Sequence, residues 1–151
     1  MEYRLLDAGD VVANREALVD LMEIVLADNI TQRYPSNQAE IYVGKMGGYI
    51  EDGSAIVCGA FDECRLVGFS WAYETTIFTE RRVHIDMIGV APEYRRAGIA
   101  RELVDIQIGE ARKRGIHILE AMTTKDNRNA YNWFHTMGFC DERVKVRRDL
   151  E

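Results

Sequence analysis

The hexapeptide Arg95-Arg96-Ala97-Gly98-Ile99-Ala100 constrains this chain more than any other stretch, because of what lies on either side of it. Before it runs Val83-His84-Ile85-Asp86-Met87-Ile88-Gly89-Val90, which reads as a strand. After it a helical pattern continues to Arg114 and stops at Gly115. The hexapeptide therefore sits where a strand hands over to a helix N-terminus. The first turn of a helix carries backbone N–H groups without intrahelical acceptors, and the helix dipole adds partial positive charge there. Phosphates suit such a junction. Gly98 and Ala100 leave the backbone approachable, and Arg95, Arg96 and Arg101 add formal charge. The expected ligand is a phosphate-bearing cofactor, although an ordinary turn with surface arginines has the same local appearance.

The spacing fits neither a P-loop, Gly-x-x-x-x-Gly-Lys-Ser/Thr, nor a dinucleotide fingerprint, Gly-x-Gly-x-x-Gly. Elsewhere the chain alternates between two periods. Tyr3 to Leu6 reads as a first strand, with Asp10 as N-cap of the helix that follows. In that helix Leu18, Leu21, Met22, Val25 and Leu26 form one apolar stripe. A loop over Asn29–Asn37 leads to a second helix, Ala39–Met46, ended by Gly47-Gly48. Tyr34 and Tyr49, near that loop and helix, either contact a substrate or cover core edges. Ser54–Phe61 and Arg65–Phe78 read as a hairpin. In its second strand Phe69, Trp71 and Tyr73 face one way, and Gly68, Ser70 and Ala72 face the other, beneath a helix. Thr79–Arg82 is the turn before the strand Val83–Val90, and the central helix spans Ala97–Arg114. A strand over His117–Thr123, a helix over Asn129–Met137 closed by Gly138, and one strand or a short hairpin over Phe139–Leu150 complete the order. This pattern predicts an α+β (mixed α/β) domain on a largely antiparallel sheet, with one parallel pair across the central helix.

A chain of 151 residues is expected to make one domain over residues 1–151. It has no apolar run long enough to span a bilayer and no leader-like N-terminus, so a cytoplasmic protein without membrane partners is expected. Three scattered cysteines and three scattered histidines predict reduced thiols and no metal. The net charge of −6 is unevenly spread. Residues 1–80 carry 14 acids against 5 bases, whereas residues 81–151 carry 11 against 14. The basic half holds the candidate phosphate loop. The acidic half favours a cationic acceptor and argues against nucleic acid.

Arg95-x-x-Gly98-x-Ala100, following the strand, resembles the Arg/Gln-x-x-Gly-x-Gly/Ala loop of the GCN5-related N-acetyltransferase (GNAT) superfamily. A second segment, Asn127-x-x-Ala130-x-x-x-Phe134-x-x-x-Gly138-Phe139, is similar to the Asn-x-x-Ala-x-x-x-Tyr-x-x-x-Gly-Phe segment found downstream in many of its members. The resemblance covers nearly the whole chain. It implies a central, twisted, mostly antiparallel sheet of six to seven strands flanked by about four helices. It further implies acetyl-CoA as cosubstrate, with its pyrophosphate on Arg95–Arg101 and its pantetheine arm along the backbone of Ile88, Gly89 and Val90. Asn127, Ala130 and Phe134 would neighbour the thiol arm.

Phe134 stands where many members have a tyrosine that protonates the leaving thiolate, and phenylalanine has no proton to donate. Tyr131, one turn earlier, is the substitute the sequence offers, and solvent is the other source. For proton removal, His84 and Asp86 share a strand face opposite Val83, Ile85 and Met87, and ionisable groups in such a run are either hydrogen-bonded or functional. Their positions match those where members of the family place a Glu or His base. Backbone N–H groups near Ile88, where members have a bulge, would stabilise the carbonyl oxygen. The expected activity is acetyl transfer to the primary amine of a small, cationic molecule, by direct attack in a ternary complex. A protein or peptide amino group is the alternative acceptor, and a non-catalytic acyl-CoA sensor the alternative class. The sequence also allows a homodimer.

Overall fold

In the computed structural model, which describes residues 1–29 and 33–151, five strands and five α-helices follow one another. The order is β1 (Glu2–Leu5), α1 (Ala8–Ala13), α2 (Arg15–Asn29), α3 (Gln38–Glu51), β2 (Ala55–Asp62), β3 (Arg65–Ile77), β4 (Glu80–Val90), α4 (Ile99–Lys113), β5 (Leu119–Ala121) and α5 (Arg128–Thr136), with a 3-10 turn at Pro92–Tyr94. The strands pair in sequence order. The first three pairings are antiparallel and the last, β4 with β5, is parallel across α4, as the alternation of periods predicted.

Both faces of the sheet are covered. Leu18, Leu21, Met22, Val25 and Leu26 of α2 are all buried and meet Val57, Phe69 and Trp71 on one face. Burying a side chain of this kind stabilises the fold by about 1.5–3 kcal/mol, so the stripe read from the sequence is what anchors the layer. On the other face Ile99, Leu103, Val104 and Ala111 of α4 pack on Ile56, Cys58, Val67, Val83 and Ile85. The small face of β3 does lie beneath this helix: a Cβ on Gly68 would stand 3.0 Å from Ile99 Cγ2.

Several local expectations are corrected. The N-cap is Asp7, not Asp10: Asp7 accepts from the Asp10 amide, and Asp10 accepts in return from the Asp7 amide and is held bidentately by Arg4 at 2.7 and 2.8 Å. The second helix runs through Gly47-Gly48 to Glu51, because Ile50 beyond the glycines packs against the core under α2 and tertiary packing outweighs the weak helix propensity of the pair. The expected loop over Asn29–Asn37 falls partly on residues 30–32, outside the described residues.

Among the described residues the strand count is five, not six to seven. Residues 139–151 form no strand; Val144, Val146 and Leu150 are exposed, and side chains rather than a backbone ladder tie the segment down. Asp141 accepts from Tyr131 at 2.8 Å and pairs with His135 at 2.9 Å, and Glu142 pairs with Arg82. Alternation is a local property of sequence, whereas a strand also needs an edge to pair with. Here β5, three residues long, offers little of one.

Candidate active site

The strand β4 is the axis of the site, and its geometry changes at one residue. Ile85 pairs with Ala72 and Met87 with Trp71, so Asp86 is an extra residue opposite the Trp71–Ala72 step. This is a β-bulge, placed two residues before the Ile88 position expected from the family resemblance. It reverses the alternation downstream. Val83 and Ile85 face α4, but Met87 packs with the α2 side, so the expected common face of Val83, Ile85 and Met87 does not form.

The parallel pairing with β5 ends at the same point: its last partners are Ile85 and Ala121. Beyond it the edge of β4 runs on to Val90 with no neighbouring strand on that side among the described residues, and a cleft of about 800 Å³ opens. Its volume lies within the range usual for small-molecule sites. On one wall α2 comes so close to β4 that a Cβ on Gly89 would lie 2.8 Å from Phe69 Cε1 and 3.2 Å from the Leu21 carbonyl oxygen. Glycine is what permits that approach.

At the far end of the cleft the loop from Arg95 enters α4. Gly98 is the N-cap with φ 82°, and Arg96 also adopts a left-handed conformation, with φ 60°. Strained backbone of this kind recurs at ligand sites. Nothing lies within 4 Å of where a Gly98 Cβ would be, so the first turn of α4 is open to a ligand. Arg95 donates to the Val90 carbonyl at 3.3 Å and sits 3.6 Å from Asp28 of α2, both exposed partners from which it can be redirected. Arg95, Arg96, Gly98, Ile99, Ala100 and Arg101 all line the cleft, together with Ile88, Gly89 and Val90; Ala97 does not.

From the opposite side come Asn127, Ala130 and Phe134 of the α5 region, as expected, together with Thr123, Thr124 and Trp133, which no motif marked. Asn127 is more a brace than a free ligand. Its Oδ1 caps the Ala130 amide at 3.2 Å, and its Nδ2 donates to Asn29 Oδ1 of α2 at 3.0 Å. Phe134 packs edge-on between Trp133 and Phe139, with centroids 5.0 Å from each.

The candidate proton-handling groups separate. His84 and Asp86 both open into the cleft, whereas Tyr131 does not line it. The Tyr131 hydroxyl is committed to Asp141, which raises its pKa, and Arg128 covers its ring at 4.6 Å. As an acid for a group in the cleft, Tyr131 is thus wrongly placed. Asp86 reaches solvent through the cleft, yet protein crowds its carboxyl: desolvation raises its pKa, with His84 pulling the other way. Tyr34 packs at the edge of the α2-side core, and Tyr49 lies 6.3 Å from Trp71, half-exposed and outside the cleft.

Sequence reasoning missed Glu120 and Tyr73. Across the sheet Tyr73 of β3 pairs with His84 of β4, and His84 with Glu120 of β5, so the three side chains form one row. The Tyr73 and His84 rings are 5.2 Å apart, and His84 Nδ1 is 3.5 Å from Glu120 Oε1. A polar residue on the short parallel strand beside the key strand was the available signal.

Among the described residues no cluster of His, Cys, Asp and Glu is placed to hold a metal ion, and no helix is long and apolar enough to cross a membrane.

Residues 18–139 match the sequence model of the acetyltransferase (GNAT) family. No curated protein sequence matches the chain significantly. Solved structures do. An aminoglycoside antibiotic 6′-N-acetyltransferase from Acinetobacter haemolyticus superposes with a TM-score of 0.79 at 15% identity, covering 100% of this chain and 99% of that one. A ribosomal-protein-alanine N-acetyltransferase from Brucella melitensis gives 0.72 at 21%, covering 99% and 100%. A predicted acetyltransferase from Clostridium acetobutylicum, with acetyl-CoA, gives 0.76 at 19%, covering 98% and 95%.

Proposed function

The chain belongs to the acetyltransferase (GNAT) family, and we propose that it transfers an acetyl group from acetyl-CoA to the primary amine of a small cationic molecule by direct attack. The observation that carries this reading is that His84 and Asp86 open into the same cleft as the Arg95–Arg101 loop. One end of that cleft suits a pyrophosphate: open first-turn amides, a glycine with room above it, and three arginines. The free edge of β4 from Asp86 to Val90 suits an extended arm with amide groups of its own.

Bound there, acetyl-CoA supplies an acyl carbon activated as a thioester. The chain's residues position and deprotonate the acceptor. An amine is mostly protonated at neutral pH, so a base must take one proton before its lone pair can attack, and imidazole is the side chain that ordinarily titrates nearest that pH. His84 takes this proton at Nε2, and Asp86 holds the ammonium beforehand. Unpaired amides of β4 past the bulge stabilise the carbonyl oxygen as it gains charge. As the new C–N bond forms and the C–S bond breaks, the nitrogen sheds its second proton to water, and because Phe134 has none to give, water also protonates the departing sulfur. The excess of acids in residues 1–80 favours a cationic acceptor.

The test is thiol release from acetyl-CoA in the presence of polyamines, amino sugars, aminoglycosides and amino-terminal peptides. His84→Gln and Asp86→Asn are expected to lower kcat by roughly a hundredfold or more while calorimetric acetyl-CoA binding stays within about twofold. Wild-type rates in both variants would remove the pair from the mechanism. Release with peptides alone would replace the small-molecule acceptor.

A further inference from the structure

The row of side chains beside the cleft contains a carboxylate with no part in the mechanism above. Glu120 projects from β5 directly opposite His84 in the parallel register. Its Oε1 is 3.5 Å from His84 Nδ1, and its Oε2 is 3.3 Å from an Arg82 guanidinium nitrogen. Arg82 is itself held on three sides. Besides Glu120 it pairs with Glu80 from the β3–β4 hairpin and bidentately with Glu142 from beyond α5, at 2.5 and 2.7 Å. Arg82 is buried to 5% exposure, and these carboxylates are its charge partners. The Tyr73 ring lies against the other side of the imidazole. Asp86 is the next ionisable group along β4, and across the cleft Asp28 is occupied by Arg95.

We infer that Glu120 is a positioning residue: it holds the His84 imidazole with its proton on Nδ1, leaving Nε2 unprotonated for the acceptor, and Arg82, clamped by Glu142, keeps Glu120 in place. This rests on His84 as the base proposed above. A free neutral imidazole can carry its proton on either nitrogen, and the group facing one nitrogen decides the tautomer. A carboxylate only accepts, so it selects the N–H on the side that faces it. With Nδ1–H toward Glu120, the proton removed from the ammonium goes to Nε2 and the ring becomes an imidazolium. Glu120 stabilises that cation without taking its proton, and the proton then passes to water. The contact at 3.5 Å is longer than a hydrogen bond, and catalytic contacts of this kind shorten when the ligand binds. The clamp also makes the segment after α5 a support for the site, although no residue beyond Phe134 touches the cleft.

The decisive readout is the tautomer. Nitrogen-15 spectra of the imidazoles, recorded at alkaline pH where the rings are neutral and assigned with His84→Gln, report which nitrogen bears hydrogen. The wild-type protein should show His84 as the Nδ1–H form. Glu120→Ala should move it toward the Nε2–H form preferred by free imidazole, Glu120→Asp should largely preserve it, and Glu142→Gln should give a smaller displacement in the same direction. In turnover, Glu120→Ala should lower kcat by roughly tenfold or more with the KM for acetyl-CoA unchanged, and adding it to His84→Gln should cost little further. An Nε2–H tautomer in the wild-type protein overturns the inference even if Glu120→Ala does not fold, and so does an Nδ1–H tautomer that survives in Glu120→Ala. The spectra need no acceptor, so their outcome is separate from the fate of the proposed reaction. If the tautomer responds as stated while His84→Gln keeps its turnover, the base assignment fails and the orienting contact stands.

Discussion

The two halves of β4 are built from one continuous strand and do opposite jobs. Up to Ile85 the strand is paired with β3, and from Val83 to Ile85 with β5 as well, and the charged side chains of this half answer one another: Arg82 has three carboxylate partners and His84 has Glu120. From Asp86 to Val90 it is paired on one edge only, and the ionisable groups along the cleft, Asp86 and the loop arginines, have weak or displaceable partners. The bulge at Asp86 separates a half whose charged groups are paired, with His84 its one ionisable side chain in the cleft, from a half that awaits a ligand. Stability and binding should therefore respond to different residues, although these lie on adjacent turns of the same pleat.

The largest effect should come from the open half. Replacing Arg95, Arg96 and Arg101 together by Ala should weaken acetyl-CoA binding by roughly a hundredfold, as charge-assisted contacts to the pyrophosphate are lost. The urea midpoint should stay nearly constant, since exposed ion pairs such as Arg95–Asp28 contribute little. The mirror-image variant is Arg82→Met, expected to lower the urea midpoint with acetyl-CoA affinity preserved. Equal effects of both on both measurements would erase the division of the strand.

Next in size is Gly89→Ala. Its methyl group would collide with Phe69 and the Leu21 backbone, so a loss of about 1–3 kcal/mol in denaturant unfolding is expected. Gly98→Ala tests the other glycine and should cost about 1 kcal/mol, because the new Cβ has room but the left-handed backbone does not suit it. Unlike Gly89→Ala, it should weaken acetyl-CoA binding out of proportion to that loss.

The smallest effect expected is on Asp86. Burial raises its carboxyl pKa in the folded protein above the ordinary value. The folded state therefore holds the proton longer than the unfolded state. The stability this provides is complete below the unfolded pKa and is lost as pH rises through the folded one. At neutral pH the ionised group is a net cost. Asp86→Asn should accordingly raise the urea midpoint slightly at pH 7 to 8, with the gain shrinking on acidification, while turnover falls. A variant that gains stability as it loses activity marks a group kept for function. A lower midpoint at pH 8 would instead make Asp86 a structural residue.

By itself the sequence determined which segments bury which faces. The α2 stripe, the small face of β3 beneath α4 and the strand-to-helix entry at Gly98 all follow from side-chain periodicity and glycine placement, which short-range sterics and burial enforce along a single segment. Only the tertiary structure decided what depends on a neighbour. The alternation through β4 predicted Met87 beside Ile85, but a bulge becomes visible only when Ile85 and Met87 are matched to Ala72 and Trp71 on the adjoining strand. Tyr131 shared a helix with the cofactor segment, and the segment that returns past α5 placed Asp141, not the cleft, against its hydroxyl. Val144 and Val146 alternate as strand residues do, yet find no edge to pair with. Glu120, 36 residues after His84 in the chain, became its neighbour only through the parallel register across α4. Periodicity travels with the chain, whereas register, edge pairing and cross-strand contact arise only when distant segments meet.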